Sequence, residues 1–118
     1  MEKIPCICKM RELCKAISCL EDSLMTAYGV SLNEAMVLCC ISGERATAGY
    51  ISQATGIKSS HLSKVLRSVE EKDLITRAFG DKDKRQVYFT LTQEAAELIH
   101  SIKRVGIPIP ELLKPFFD

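Results

Sequence analysis

No stretch of this 118-residue sequence is apolar for long: the longest purely apolar run is Ala35 to Ile41, far short of the roughly 20 residues that span a bilayer. The opening residues, Met1-Glu2-Lys3-Ile4-Pro5, do not follow the charged-then-apolar order of a secretory signal. A cytoplasmic protein with no membrane partner is expected. A glycine-rich phosphate loop, a nucleophile elbow and a paired-carboxylate cluster beside a base are all missing, so the sequence predicts no enzyme and no cofactor. The six cysteines include no C-x-x-C pair, and His61 and His100 fall in separate predicted helices. A zinc site is therefore not expected. In a reducing compartment the cysteines are free thiols. Internal repeats and low-complexity segments are absent as well.

What is present fits one globular domain. Hydrophobic residues make up 47% and charged residues 26%, which argues against disorder. The net charge of +1 hides an asymmetry: residues 58–85 carry eight basic and five acidic groups, and the rest carry eight basic and ten acidic. Positive charge is thus gathered in one middle segment, a modest pointer towards a polyanionic partner.

Periodicity predicts a mainly α fold with one small β-hairpin. Met10, Leu13, Cys14, Ile17, Leu20, Leu24 and Tyr28 recur at three- and four-residue steps, an apolar stripe on a long first helix closed by Gly29. Ser31, with Glu34 three residues on, forms a capping box for a second helix, apolar on every side from Ala35 to Ile41. A third helix starts after Thr47 and stops at Gly56. A fourth, capped by Ser59 or Ser60, runs to about Lys72. Two strands follow, Leu74 to Phe79 and Gln86 to Leu91, around a polar tip from Gly80 to Arg85 with turn chemistry. Thr92 caps a fifth helix with core positions Ala95, Leu98, Ile99 and Ile102. Pro108 and Pro110 interrupt the pattern before a short final helix, 110–117.

The fourth helix carries the chemistry. Leu62, Val65, Leu66 and Val69 fall at i, i+3, i+4 and i+7 and form its buried face. The other side presents Ser60, His61, Lys64, Arg67 and Ser68, with acids only at the far end in Glu70 and Glu71. Cations can neutralise phosphates there, while hydroxyls, imidazole and guanidinium can reach base edges in a major groove.

Ser59-Ser60-His61-Leu62-Ser63-Lys64-Val65-Leu66, Leu74-Ile75-Thr76-Arg77 and Asp83-Lys84-Arg85-Gln86-Val87-Tyr88-Phe89-Thr90-Leu91-Thr92, in that order, resemble the MarR family over roughly Ser31 to Ile102. The wing signature D-K-R…L-T is the most specific part. The resemblance implies a winged helix-turn-helix with flanking dimerisation helices: an N-terminal dimerisation helix (1–28), a core (31–91) and C-terminal dimerisation helices (92–118) of a single domain, 1–118. It further implies a sequence-specific transcription regulator, in the expected sense a repressor, acting as a homodimer on a near-palindromic site in double-stranded DNA. The recognition helix, 59–72, would enter the major groove with Ser59, Ser60, His61, Ser63, Lys64, Arg67 and Ser68. The wing, 79–86, would reach the minor groove with Lys82, Asp83, Lys84 and Arg85, Asp83 orienting the Arg85 guanidinium. Many members also answer to a small phenolic or lipophilic effector, or to an oxidant.

Three departures stand out. Asp73 and Ala95 occupy positions where the family commonly has glycine, and only some 25 residues follow Thr92, so the long first helix is expected to carry more of the dimer interface. Cys6 and Cys8 lie near Pro5, a residue suited to a first helical position, with Lys3 and Lys9 close by. These are features that raise thiol reactivity, so Cys6 and Cys8 are candidate redox-sensing thiols. Against that, they can be bystanders, with Cys14, Cys39 and Cys40 simply small core residues. The rival from another class is a winged helix used only for docking proteins; such modules tend to lose the basic stripe that Lys64, Arg67, Lys84 and Arg85 keep here.

Overall fold

The computed structural model describes residues 1–80 and 85–117 and resolves into two compact units. One comprises Leu32–Gly106 and holds six elements: α2 (Leu32–Ile41), α3 (Ala48–Thr55), α4 (Ser59–Glu71), strands β1 (Ile75–Phe79) and β2 (Val87–Leu91), and α5 (Gln93–Arg104). The other comprises Met1–Ser31 and Ile107–Asp118, with α1 (Cys8–Tyr28) and a 3-10 helix at Glu111–Phe116. The architecture is the mainly helical fold with one antiparallel hairpin that the periodicity predicts, and its element order is helix-turn-helix followed by a wing.

In the larger unit α2 is the hub, touching α3, α4, α5 and β2. Its buried residues are Glu34, Val37, Leu38 and Ile41, one face at helical spacing. Met36 and Cys39 on the other side are exposed, so the helix is not buried all round as its composition suggests. Ile51 of α3, Leu62, Val65, Leu66 and Val69 of α4, and Ala95 and Ile99 of α5 complete the core. Leu98 and Ile102, expected in the core, are only half-buried.

Local rules explain most boundaries. Thr47 caps α3 by accepting from the Tyr50 N–H at 3.2 Å, and Gly56 ends it in the left-handed region at φ 79°. Thr92 caps α5 by accepting from the Ala95 N–H at 3.2 Å, while its own hydroxyl donates to the Asp73 carbonyl at 2.8 Å. That one side chain therefore both starts α5 and fastens the entry to the hairpin. At α4 the expected serine cap is not used: Lys58 occupies the cap position without a side-chain bond, and Ser59 is already helical.

In the smaller unit α1 and the 3-10 helix pack together. Ala16, Leu20, Leu24 and Leu113 are buried, whereas Met10, Leu13 and Ile17, on the same face of α1 as Leu20, are exposed. So are Leu112, Phe116 and Phe117. The helix begins at Cys8 after a turn at Ile7 rather than at Pro5. Cys14 is also exposed, because it lies about 200° around the helix from Ala16. Of the three cysteines expected as core residues, only Cys40 is even partly buried.

Asp73, standing where the resembled family has glycine, adopts φ 59° and is the one described non-glycine residue with positive φ. Aspartate tolerates this conformation better than most residues, and β-branched side chains tolerate it worst. Denaturant unfolding should show Asp73→Val less stable than the parent by about 1–2 kcal/mol, with Asp73→Gly no less stable than the parent. Equal stability of the valine variant and the parent would contradict a left-handed residue here.

Candidate nucleic-acid interface

The turn between α3 and α4 is locked from inside. Ser52 Oγ donates to the Ile57 carbonyl at 2.6 Å, Thr55 Oγ1 donates to the Ile51 carbonyl at 2.7 Å, and the Ile57 N–H donates back to Thr55 Oγ1 at 3.2 Å. Ile57 itself is buried. Side chains and apolar burial thus satisfy a turn that would otherwise leave helix-end groups unpaired, and the entry of α4 is fixed relative to α3.

Helical geometry, at about 100° per residue, divides α4 into three stripes rather than the two expected. Leu62, Val65, Leu66 and Val69 form the buried arc. Ser60, Ser63, Lys64 and Arg67 lie opposite and are exposed; Ser63 Oγ donates to the Ser59 carbonyl at 3.1 Å. Between these faces runs a flank of His61, Ser68 and Lys72, turned towards α2. His61 Nε2 lies 3.1 Å from Asn33 Nδ2, Ser68 Oγ donates to Glu34 Oε2 at 2.7 Å, and Lys72 Nζ donates to Glu34 Oε1 at 2.8 Å. Ser68, grouped by the sequence with the groove-facing residues, is instead half-buried and committed to Glu34; it is removed from that set. His61, though exposed, is held at its ring nitrogen.

The cations near α4 separate in the same way. Glu34 neutralises Lys72, and Glu70 neutralises Arg77 through a 2.8 Å contact to its Nε. Lys64 and Arg67 have neither an ion pair nor a hydrogen bond among the described residues.

The wing is anchored by register. Ile75 pairs with Leu91, Arg77 with Phe89 and Phe79 with Val87. Phe89 is buried, and a bridge to Ala46 ties β2 to the segment before α3 by bonds of 2.8 and 3.0 Å. The Gly80 N–H donates to the Gln86 carbonyl at 2.9 Å, closing the base of the tip. Arg85 is exposed just beyond that closure. Lys82, Asp83 and Lys84 lie outside the described residues. Phe79, exposed at 65%, was not singled out by the sequence; its apolar side chain at the hairpin base was the available signal.

A further recess of about 580 Å³ opens beside α3, lined among others by Cys40, Arg45, Thr47, Tyr50 and Tyr88. The Arg45 guanidinium stacks on the Tyr88 ring with 4.2 Å to its centroid. None of these residues was expected as a site residue from the sequence. Cys6 and Cys8, by contrast, are exposed in the smaller unit at the start of α1. No group of three or more potential metal ligands occurs among the described residues, and no single described helix is long and apolar enough to cross a membrane.

A helix-turn-helix followed by a two-stranded wing defines the class of fold: a winged helix-turn-helix. The family model described as transcriptional regulator SarA/Rot matches residues 20–102, and the chain belongs to that family. Solved structures agree on the fold. The MepR–DNA complex of S. aureus superposes with a TM-score of 0.75 at 18% identity, covering 87% of this chain and 77% of that one. AbsC, a MarR family transcriptional regulator from Streptomyces coelicolor, gives 0.72 at 20% identity over 89% and 77%. BpsR of Bordetella bronchiseptica gives 0.74 at 15% identity over 87% and 75%. Among curated proteins no sequence matches.

Burial, and secondarily the neighbouring Cys39, pushes the Cys40 thiol above its usual range. A raised pKa means less thiolate at neutral pH. In the folded protein, alkylation followed by mass spectrometry should therefore modify Cys39 faster than Cys40 at pH 7, the gap narrowing as pH rises. Faster labelling of Cys40 at pH 7 would contradict this placement.

Proposed function

We propose that this regulator acts by binding duplex DNA, with the outer stripe of α4 in the major groove and the wing against the minor groove. The observation that carries the reading is the sorting of charge around α4. Lys72 and Arg77 are neutralised by neighbouring carboxylates, while Lys64 and Arg67 project outward beside Ser60 and Ser63. A merely solvated helix face gains from intermixed acids; here the exposed Glu71 stands at the far end of the stripe, and the part nearer the turn is left ready for phosphates and base edges. Ser59 and His61 stand at the end of α4 nearest the turn, where a recognition helix makes its base contacts. At the wing, the exposed Arg85 suits the negative potential of a narrow minor groove. MepR has been seen with DNA, and that precedent supports the reading. A docking-only winged helix would have no use for this unneutralised stripe, and the reading assigns the protein no catalytic step.

The functional unit is a homodimer on a near-palindromic operator, repression being the expected sense, in the cytoplasm. Met10, Leu13 and Ile17 share one exposed face of α1, and the 3-10 helix packed on α1 exposes Leu112, Phe116 and Phe117. So much apolar surface in one small unit is unfavourable in water, and a two-fold partner offering the same face would cover it. A small-molecule effector fits the same scheme: DNA binding by BpsR is regulated by 6-hydroxynicotinic acid, and the recess beside Arg45, Tyr50 and Tyr88 is the candidate site here. Cys6 and Cys8 are exposed enough to sense oxidants.

Binding measured by fluorescence anisotropy across a salt series tests the interface. Arg85→Ala should cost about 1–3 kcal/mol of affinity and reduce the salt slope by about one phosphate contact, and Lys64→Ala should weaken binding to all sequences alike. Folded variants that bind as the parent does would make the stripe a solvated face. Separately, light scattering at tens of micromolar, an order of magnitude for working concentrations, should report a dimer; a monomer would remove the proposed interface.

A further inference from the structure

Glu34 is the one buried charged residue among those described, at 4% exposure, and none of the recognition chemistry above uses it. It lies in the first turn of α2, and both of its carboxylate oxygens engage α4 and its C-cap: Oε2 accepts from Ser68 and Oε1 from Lys72. Its chain neighbour Asn33 reaches the same helix at His61. His61, Ser68 and Lys72 follow one another at i, i+7 and i+11, so they form a single stripe down α4. Two adjacent residues of α2 therefore grip the recognition helix at three points spread over about 16 Å along its axis, using the rise of 1.5 Å per residue.

A grip of this kind constrains something that apolar packing does not. Leu62, Val65, Leu66 and Val69 hold α4 against the core, but aliphatic contacts permit small rotations and slides at little cost. Hydrogen bonds donated to a buried carboxylate do not, because an oxygen deprived of its donor in a dry site has no water to replace it. We propose that Glu34, seconded by Asn33, is a positioning residue for sequence selectivity. It sets the rotation of α4 so that Ser60, Ser63, Lys64 and Arg67, rather than Ser68 and Lys72, face the groove. The proposal rests on the DNA-binding reading and deepens it.

The prediction is a split between two kinds of binding. Phosphate contacts tolerate small rotations of a long cation, whereas base-edge hydrogen bonds do not. Glu34→Gln preserves shape but replaces one acceptor oxygen by a donor facing Ser68 or Lys72. Ser68→Ala removes one bond and no charge, and Ser68→Thr restores the hydroxyl. Titrations of selected-site and random duplexes at several salt concentrations, with circular dichroism and thermal melts on the same samples, read the outcome. Glu34→Gln and Ser68→Ala should each lower the ratio of specific to non-specific affinity about tenfold, the size of a partly lost base contact. Non-specific affinity and its salt slope should stay at the parent's values, and Ser68→Thr should recover the ratio.

Folded variants with lowered melting temperature but the parent's ratio would overturn the proposal, since a merely stabilising contact behaves that way. Equal falls in specific and non-specific affinity would also overturn it. If Glu34→Gln does not fold, Ser68→Ala decides alone. A parent that binds no duplex at all fails the underlying reading first and is distinguishable from these results.

Discussion

Everything in the larger unit depends on the burial of one arc of α4. Leu62, Val65, Leu66 and Val69 are withdrawn from water between α2, α3 and β1, each such side chain contributing about 1.5–3 kcal/mol relative to exposure. A helix buried along one arc must present the opposite arc to solvent, and which residues stand there follows from the 3.6-residue period alone. The outward placement of Ser60, Ser63, Lys64 and Arg67 is thus a consequence of packing. The turn bonds of Ser52 and Thr55 and the Ala46 bridge to Phe89 then fix the two surfaces beside that arc, the α3 end and the wing.

Polar contacts refine what burial leaves loose. A buried ion pair is weak ground for stability, because desolvation offsets most of its Coulombic gain. Lys72 remains about a third exposed while Glu34 does not, so the carboxylate bears most of that cost. Its better-attested use is to specify one arrangement among several of similar energy. Asp73 works along the backbone in a comparable way: a left-handed residue between α4 and β1 turns the chain into the hairpin, and Thr92 secures that corner through the Asp73 carbonyl.

Periodicity and caps made the element order legible in the sequence. Thr47, Gly56 and Thr92 announce their helix boundaries by local chemistry, and α4 declares its buried arc by spacing. The winged helix-turn-helix class also showed early, because D-K-R…L-T and the α4 residues lie in consecutive segments. The flank of α4 was not legible. Ser68 looks like any hydroxyl on a polar face, and only the three-dimensional position of Glu34, 34 residues earlier, shows that it is engaged. Glu34 read as a capping residue because sequence records its place in a helix, not the neighbour it meets. Composition misled on the cysteines for a related reason: Cys14 and Cys39 sit in apolar helices, yet on faces that no other element of the described structure covers.

Packing exposes one arc of α4, and the proposed function makes that arc a DNA-reading stripe duplicated by a two-fold axis. Selection of bound sequences from a pool of random duplex DNA tests it most directly. Enrichment of a two-fold symmetric motif is expected, its half-sites one helical turn, roughly 34–36 Å, apart. Recovery of no enriched motif, or of a single asymmetric one, would contradict it.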